Sequence, residues 1–250
     1  MLRYRCLVLD HDDTVVRSAE TVNYPQFLQL LTALRPGRRL TLEAYLTGSI
    51  DPGFHAMCRQ WFGFTPEEMD WMFRAWQQYV QTHLPPAYDG IARVLRRQRA
   101  LGGLLCVSSQ SSPANITRDW QRHFGMTPDE IFGWELGPEK RKPSPYALQQ
   151  IMRHYRLEPQ QLVMIDDLKP GYEMAKRCGV DFIAAGWSHR FPEIRQIMQE
   201  NCDYYMQTVE DLEKFLFSSP SDCGILKYAE PLDSASRGKP PAKRGAAFGK

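Results

Sequence analysis

Cys6-Leu7-Val8-Leu9-Asp10-His11-Asp12-Asp13-Thr14 decides how this chain is read. A short apolar run delivers the backbone straight into two carboxylates spaced by one residue. A buried strand ending this way suits chemistry at the carboxyl edge of a parallel sheet. Residues i and i+2 of an extended chain point the same way, so Asp10 and Asp12 can face one reacting centre if the strand geometry persists through the turn. Two like charges that close repel each other, and a divalent cation or a shared proton relieves them. Alone, the stretch reads equally well as an acidic turn that caps the next helix. The rest of the chain separates the two readings.

Working outward, strand and helix patterns alternate, which predicts a parallel α/β sheet. The strand candidates are Arg5 to Leu9, Leu104 to Val107, Ile131 to Trp134, Leu162 to Ile165 and Phe182 to Ala185. Helical spacing marks Pro113 to His123, Pro145 to Tyr155 and Gly171 to Cys178. The gap between the first two strands differs. Phe27, Leu28, Leu30, Leu31 and Leu34 recur at helical intervals, as do Met69, Met72, Phe73, Trp76 and Tyr79. The expected organisation is a core from residues 1–19 and 86–217, an all-helical insert over 20–85, and a mobile tail over 218–250. Pro85-Pro86 marks the return to the core. The aromatic residues Trp61, Phe62, Trp71, Phe73 and Trp76 are expected to pack the insert.

The chain has 250 residues, 43% of them hydrophobic and 24% charged, ordinary for a soluble globular protein. Its net charge is +2, and the surplus sits in the tail, whose end from Arg237 to Lys250 is basic. The near-neutral remainder argues against a nucleic-acid partner. The six cysteines form no CxxC pair, which argues against a zinc or redox motif. No stretch approaches the apolar length that spans a bilayer, and no signal pattern opens the chain. The expected setting is the cytoplasm, without membrane contact.

Three later stretches follow strand candidates. Ser108-Ser109-Gln110-Ser111-Ser112 offers hydroxyls and backbone N–H groups to an anion. In Lys140-Arg141-Lys142-Pro143-Ser144-Pro145, two prolines fix the backbone ahead of a helix and can aim Lys142 inward. Asp166-Asp167 again ends an apolar strand with paired carboxylates. Together these parts describe one device. A carboxylate attacks a phosphoryl group, hard oxygen ligands hold Mg²⁺, Lys and hydroxyl share the charge, and a second Asp moves the proton.

These four stretches, in this order, resemble the motifs of the haloacid dehalogenase-like hydrolase superfamily, over about residues 4–217. Asp10 to Thr14 is similar to its DxDxT motif, Ser108 to its second, Lys142 to its third and Asp166-Asp167 to its fourth. The resemblance implies a Rossmann-like sheet with a helical cap inserted after the first strand. It implies that Asp10 is nucleophile and Mg²⁺ ligand, and that Asp12 is general acid/base and lends its carbonyl to the metal. Ser108, with Ser109 beside it, and Lys142 would hold the phosphoryl oxygens. Asp167 would ligate the metal directly, with Asp166 a second ligand or an outer partner, and Thr14 would brace the loop. Members that cleave carbon–halogen bonds lack an acid/base at the position of Asp12, so its presence points to phosphate transfer.

The resemblance also makes Thr14 to Ser18 and Pro85 to Gly90 hinges, and turns Leu46 to Gly53 toward substrate. His55 and Arg59 are candidate substrate contacts, with a solvated helix face as the plainer reading. Trp187-Ser188-His189-Arg190 is expected near the mouth of the site, where His189 can contact substrate, with a surface loop as the plainer reading. The expected activity is Mg²⁺-dependent hydrolysis of a small phosphate ester by a monomer or weak homodimer. A phosphosugar mutase of the β-phosphoglucomutase type would use the same residues. A non-catalytic binding protein on the same fold is the third reading.

Overall fold

The computed structural model describes residues 2–218. The expected tail beyond Ser218 lies outside them. Six parallel strands form one sheet in the order β3-β2-β1-β4-β5-β6. They are β1 (Cys6–Leu9), β2 (Leu104–Ser108), β3 (Glu130–Phe132), β4 (Leu162–Asp166), β5 (Asp181–Ala185) and β6 (Tyr204–Met206). The fold is the expected α/β Rossmann-like sheet.

The central strand is apolar at every position because helices cover both faces of the sheet. Leu7 and Leu9 face a core that includes Ile91, Leu95, Trp120 and Leu212. These come from α5 (Ile91–Ala100), α6 (Pro113–Phe124) and α10 (Val209–Phe217). Cys6 and Val8 face the other core, with Leu148, Met174 and Met198. These come from α7 (Tyr146–Tyr155), α8 (Lys169–Cys178) and α9 (Pro192–Gln199). The pairing of β1 with β4 runs on past the strand, because Asp10 N–H donates to the Ile165 carbonyl over 2.8 Å. This fixes the first carboxylate at the strand end.

Between β1 and β2 the described chain holds no strand before α5. It forms α1 (Tyr24–Leu34), α2 (Leu42–Gly48), α3 (Phe54–Phe62) and α4 (Pro66–Thr82), with π-helical turns at Ala19–Asn23 and Ser49–Gly53. Phe27, Leu31, Met57, Phe62 and Phe64 are among the residues of a third apolar core that belongs to this segment alone. Helix α4 starts cleanly because Thr65 and Glu68 form a reciprocal capping box. The two chain crossings between the segment and the sheet run side by side. Arg17 N–H donates to the Pro86 carbonyl over 2.8 Å, and Tyr88 N–H to the Val15 carbonyl over 3.1 Å.

The structure differs from expectation at several points. β3 starts one residue earlier and ends at Phe132, after which Trp134–Leu136 turns as a short 3-10 helix. β6, α9 and α10 extend the sheet and its cover beyond the expected elements. Trp61 and Trp71 are less covered than the other aromatic residues of the segment, at 36% and 40% exposed, although the Trp61 ring lies against Gly48 of α2. Among the described residues no helix is long and apolar enough to cross a membrane.

Candidate active site

The carboxyl ends of β1 and β4 bring Asp10, Asp166 and Asp167 together, and one oxygen from each lies within 4.8 Å of the others. Lys142, more than 130 residues away from Asp10 in the chain, reaches into this cluster. Its Nζ donates to Asp10 Oδ1 over 2.7 Å and to Asp166 Oδ2 over 2.5 Å. Burial opposes the Lys142 charge, but Asp10 and Asp166 outweigh it and hold the ammonium firmly protonated. Asp166 spends its other oxygen on the Leu168 N–H, 2.8 Å away at the start of α8. Helix α8 approaches so closely that a Cβ on Gly171 would overlap the Asp166 carboxylate.

One ammonium cannot neutralise three carboxylates. Burial pushes the Asp10 carboxyl up, Lys142 pulls it down, and Asp166 and Asp12 push it up again. Asp167 is pushed up further, by burial first and then by Asp166 and Asp10. Its Oδ1 is buried and has no hydrogen-bond partner among the described residues. An orphaned carboxylate oxygen beside two other carboxylates is a donor set that fits a hard divalent cation.

Asp12 lines the same cleft, and the Ser111 hydroxyl donates to its Oδ2. Asp13 adopts a left-handed backbone with φ of 55°. That turn is tight: Asp13 N–H donates to the Val16 carbonyl over 2.7 Å. The Asp13 carboxylate accepts the Ala19 N–H at 3.1 Å, at the start of the helical segment. Burial and Asp12 push the Asp13 carboxyl well up.

The cleft has a volume of about 830 Å³ and lies between the strand ends and the helical segment. Leu46, Ser49, Ile50 and Gly53 line it, as does His55 from α3. Burial, then Arg59 and Arg141, push the His55 imidazole down, which favours its neutral form. Arg59 is exposed and does not line the cleft. Ser109 and Gln110 line it, whereas the Ser108 hydroxyl points at the Met174 sulfur, 4.0 Å away. Ser108 follows Cys106 on the face of β2 that packs against α8.

A family model for haloacid dehalogenase-like hydrolases matches residues 4–179. The chain belongs to this family. No curated protein sequence matches it. Among solved structures it is similar to a predicted phosphoglycolate phosphatase from Haemophilus somnus 129PT, with a TM-score of 0.66 and 17% identity over 86% of this chain and 99% of that one. It is also similar to CbbY from Rhodobacter sphaeroides in complex with phosphate, with a TM-score of 0.66 and 22% identity over 85% and 96%. A mutant of CbbY in complex with xylulose-(1,5)bisphosphate gives 0.65 and 21% over 84% and 95%. At these identities the likeness is one of fold.

Within this haloacid dehalogenase-like fold, two groups escape the sequence reading. Ser111 lies one residue past the part of the serine-rich turn that lines the cleft, and nothing local marks it as the partner of Asp12. His189 is not a surface loop residue but is 3% exposed, under the site. Its Nε2 donates to the Asp167 carbonyl over 2.7 Å, and its Nδ1 accepts from the Tyr205 hydroxyl over 3.0 Å. Tyr205 lies on β6, the strand that the sequence pattern does not reveal, so its histidine partner could not be anticipated either.

Proposed function

We propose that the protein is a Mg²⁺-dependent phosphatase that hydrolyses a small phosphorylated metabolite through an aspartyl-phosphate on Asp10. The observation that carries this reading is the convergence of Asp10, Asp166, Asp167 and Lys142 at the floor of one cleft. Lys142 holds Asp10 Oδ1, which leaves Oδ2 to attack phosphorus. Asp12, held by Ser111, gives a proton to the leaving alcohol oxygen and then takes one from the water that splits the acyl phosphate. Asp10 and Asp167, with the Asp12 carbonyl, would hold Mg²⁺, and Asp166 would set Lys142 and α8 around them. When bound, the cation supplies positive charge to the carboxylates and to the phosphoryl oxygens.

Lys142 shares that charge, and Ser109 with the neighbouring backbone N–H groups is better placed for it than the Ser108 hydroxyl. Residues 20–85 act as a cap that closes the cleft against water, with His55 on its inner wall. CbbY supports this reading as a relative in fold whose structures hold phosphate and a phosphorylated sugar. The test is phosphate release from a panel of phosphate esters, with Mg²⁺ and with EDTA. Metal-dependent release that Asp10→Asn abolishes is expected. Full turnover by that variant, with deamidation excluded, or release unaffected by EDTA, overturns the reading. An isomerised sugar phosphate without free phosphate identifies a mutase instead.

A further inference from the structure

Among the described residues, four Lys or Arg line the cleft: Arg17, Lys142, Lys169 and Arg190. Three have acidic partners. Lys142 bridges Asp10 and Asp166, Arg190 Nη1 lies 2.6 Å from Glu20, and Lys169 Nζ lies 3.9 Å from Glu173. Arg17 is half-buried, yet among the described residues its guanidinium has no carboxylate within 4.0 Å and no hydrogen-bond acceptor. It is nonetheless held in place. Its backbone is pinned to Pro86, and its Cζ sits 5.2 Å from the centre of the Tyr88 ring. Tyr88 meets Trp187 edge-on at 6.5 Å, and Trp187 Nε1 donates to the Thr14 carbonyl over 3.1 Å.

A positioned, half-desolvated guanidinium whose N–H donors meet no acceptor among the described residues is an unmet anion site. The reacting phosphoryl group already has Lys142 at the other carboxylates. A cleft lined by Asp10, Asp12, Asp13 and Asp167 also repels an anionic substrate unless cations answer its charge. Tyr88 feels both sets, since Asp13 and Asp167 push its phenol up after burial does, while Arg17 and Arg190 pull it down. Arg17 therefore belongs to the same electrostatic space as the catalytic carboxylates.

We infer that Arg17 binds a second anionic group of the substrate, a carboxylate or a second phosphate remote from the ester that is cleaved. The inference rests on the phosphatase reading and narrows its substrate class to doubly anionic small phosphate esters. Arg17 would supply a planar, two-pronged contact that neutral esters cannot use.

Matched pairs of substrates test it. One pair is phosphoglycolate and 2-hydroxyethyl phosphate, which differ by a carboxylate. The other is ribulose 1,5-bisphosphate and ribulose 5-phosphate, which differ by a phosphate. The quantity read is the ratio of kcat/KM within each pair, for wild type, Arg17→Gln and Arg17→Lys, with Mg²⁺. Wild type is expected to favour the doubly anionic member of at least one pair, and the favoured pair identifies the anion. In Arg17→Gln that ratio is expected to fall about tenfold or more, mainly through KM, with partial recovery in Arg17→Lys. Ratios that do not change between wild type and Arg17→Gln overturn the inference and leave the phosphatase reading intact. No release by wild type from any of the four esters, nor from p-nitrophenyl phosphate, overturns both.

Discussion

His189 Nε2 lies 2.7 Å from the main-chain oxygen of Asp167. A carbonyl can only accept, so the proton sits on Nε2, and Nδ1 is left to accept from Tyr205. The ring thus fixes the backbone of the residue whose Oδ1 stands unpaired in the acidic cluster. Groups that orient a metal ligand from behind tune its affinity for the metal. His189→Ala is expected to weaken Mg²⁺ binding about 10- to 100-fold. Calorimetric titration of Mg²⁺ into wild type and variant reads this directly, and equal affinities would show that the carbonyl needs no such support.

The same imidazole makes stability fall in acid. Burial pushes His189 down to about 4, from an ordinary value of 6.5. Above pH 6.5 neither state binds the proton and the full stability is present. As pH falls from 6.5 toward 4, the unfolded chain takes up a proton that the folded ring refuses, and stability is lost. Between about pH 7 and about pH 4.5, wild type is expected to lose about 2–3 kcal/mol more than His189→Gln. Urea denaturation at the two pH values gives the comparison. Equal losses would place a protonated imidazole inside the fold.

Lys142 is 5% exposed in its side chain and compensates two carboxylates that are 7% and 0% exposed. Removing one partner of a buried ionic cluster strands the others. Lys142→Met is expected to lower stability by about 3–5 kcal/mol in EDTA, with part of the loss recovered by Mg²⁺. Thermal denaturation with and without the cation checks both halves. A variant as stable as wild type in EDTA would mean that the carboxylates already share protons and need no ammonium.

Ser111 donates to Asp12 and touches no other group of the cluster. Ser111→Ala is expected to lower kcat about tenfold with a small change in KM, and Ser111→Thr is expected to restore most of it. Steady-state kinetics on one good ester separates this from a structural defect, because a misfolded variant would not be rescued by the bulkier hydroxyl.

The central strands and the acidic cluster are legible in the sequence for a physical reason. β1, β2, β4 and β5 are covered on both faces, so each holds an apolar run, and the residues at the ends of β1 and β4 form the acidic cluster. The edges are not legible. β6 is three residues long, Tyr204–Met206, and follows the polar Asn201-Cys202-Asp203. The indole of Trp61 has the composition of a core residue, but it covers Gly48 with one part of its ring and stays 36% exposed. Partnerships across the chain were also beyond sequence patterning. His11 lies between the two motif carboxylates, yet its Nε2 meets Asp119 of α6 at 3.1 Å in the core. Ser108 fits its motif by position, but its rotamer follows Met174 rather than the cleft.

The strand order has a consequence for how the protein is made. β1 leaves the ribosome first, yet one of its two neighbours, β4, begins only at Leu162. Until then the strand that carries Asp10 can be flanked on one side alone. The helical segment behind it already holds its own apolar core, so it is the unit equipped to close early, domain by domain. A chain truncated anywhere ahead of β4 therefore keeps Asp10 and the helical segment but lacks Asp166 and Asp167, so the acidic cluster cannot assemble.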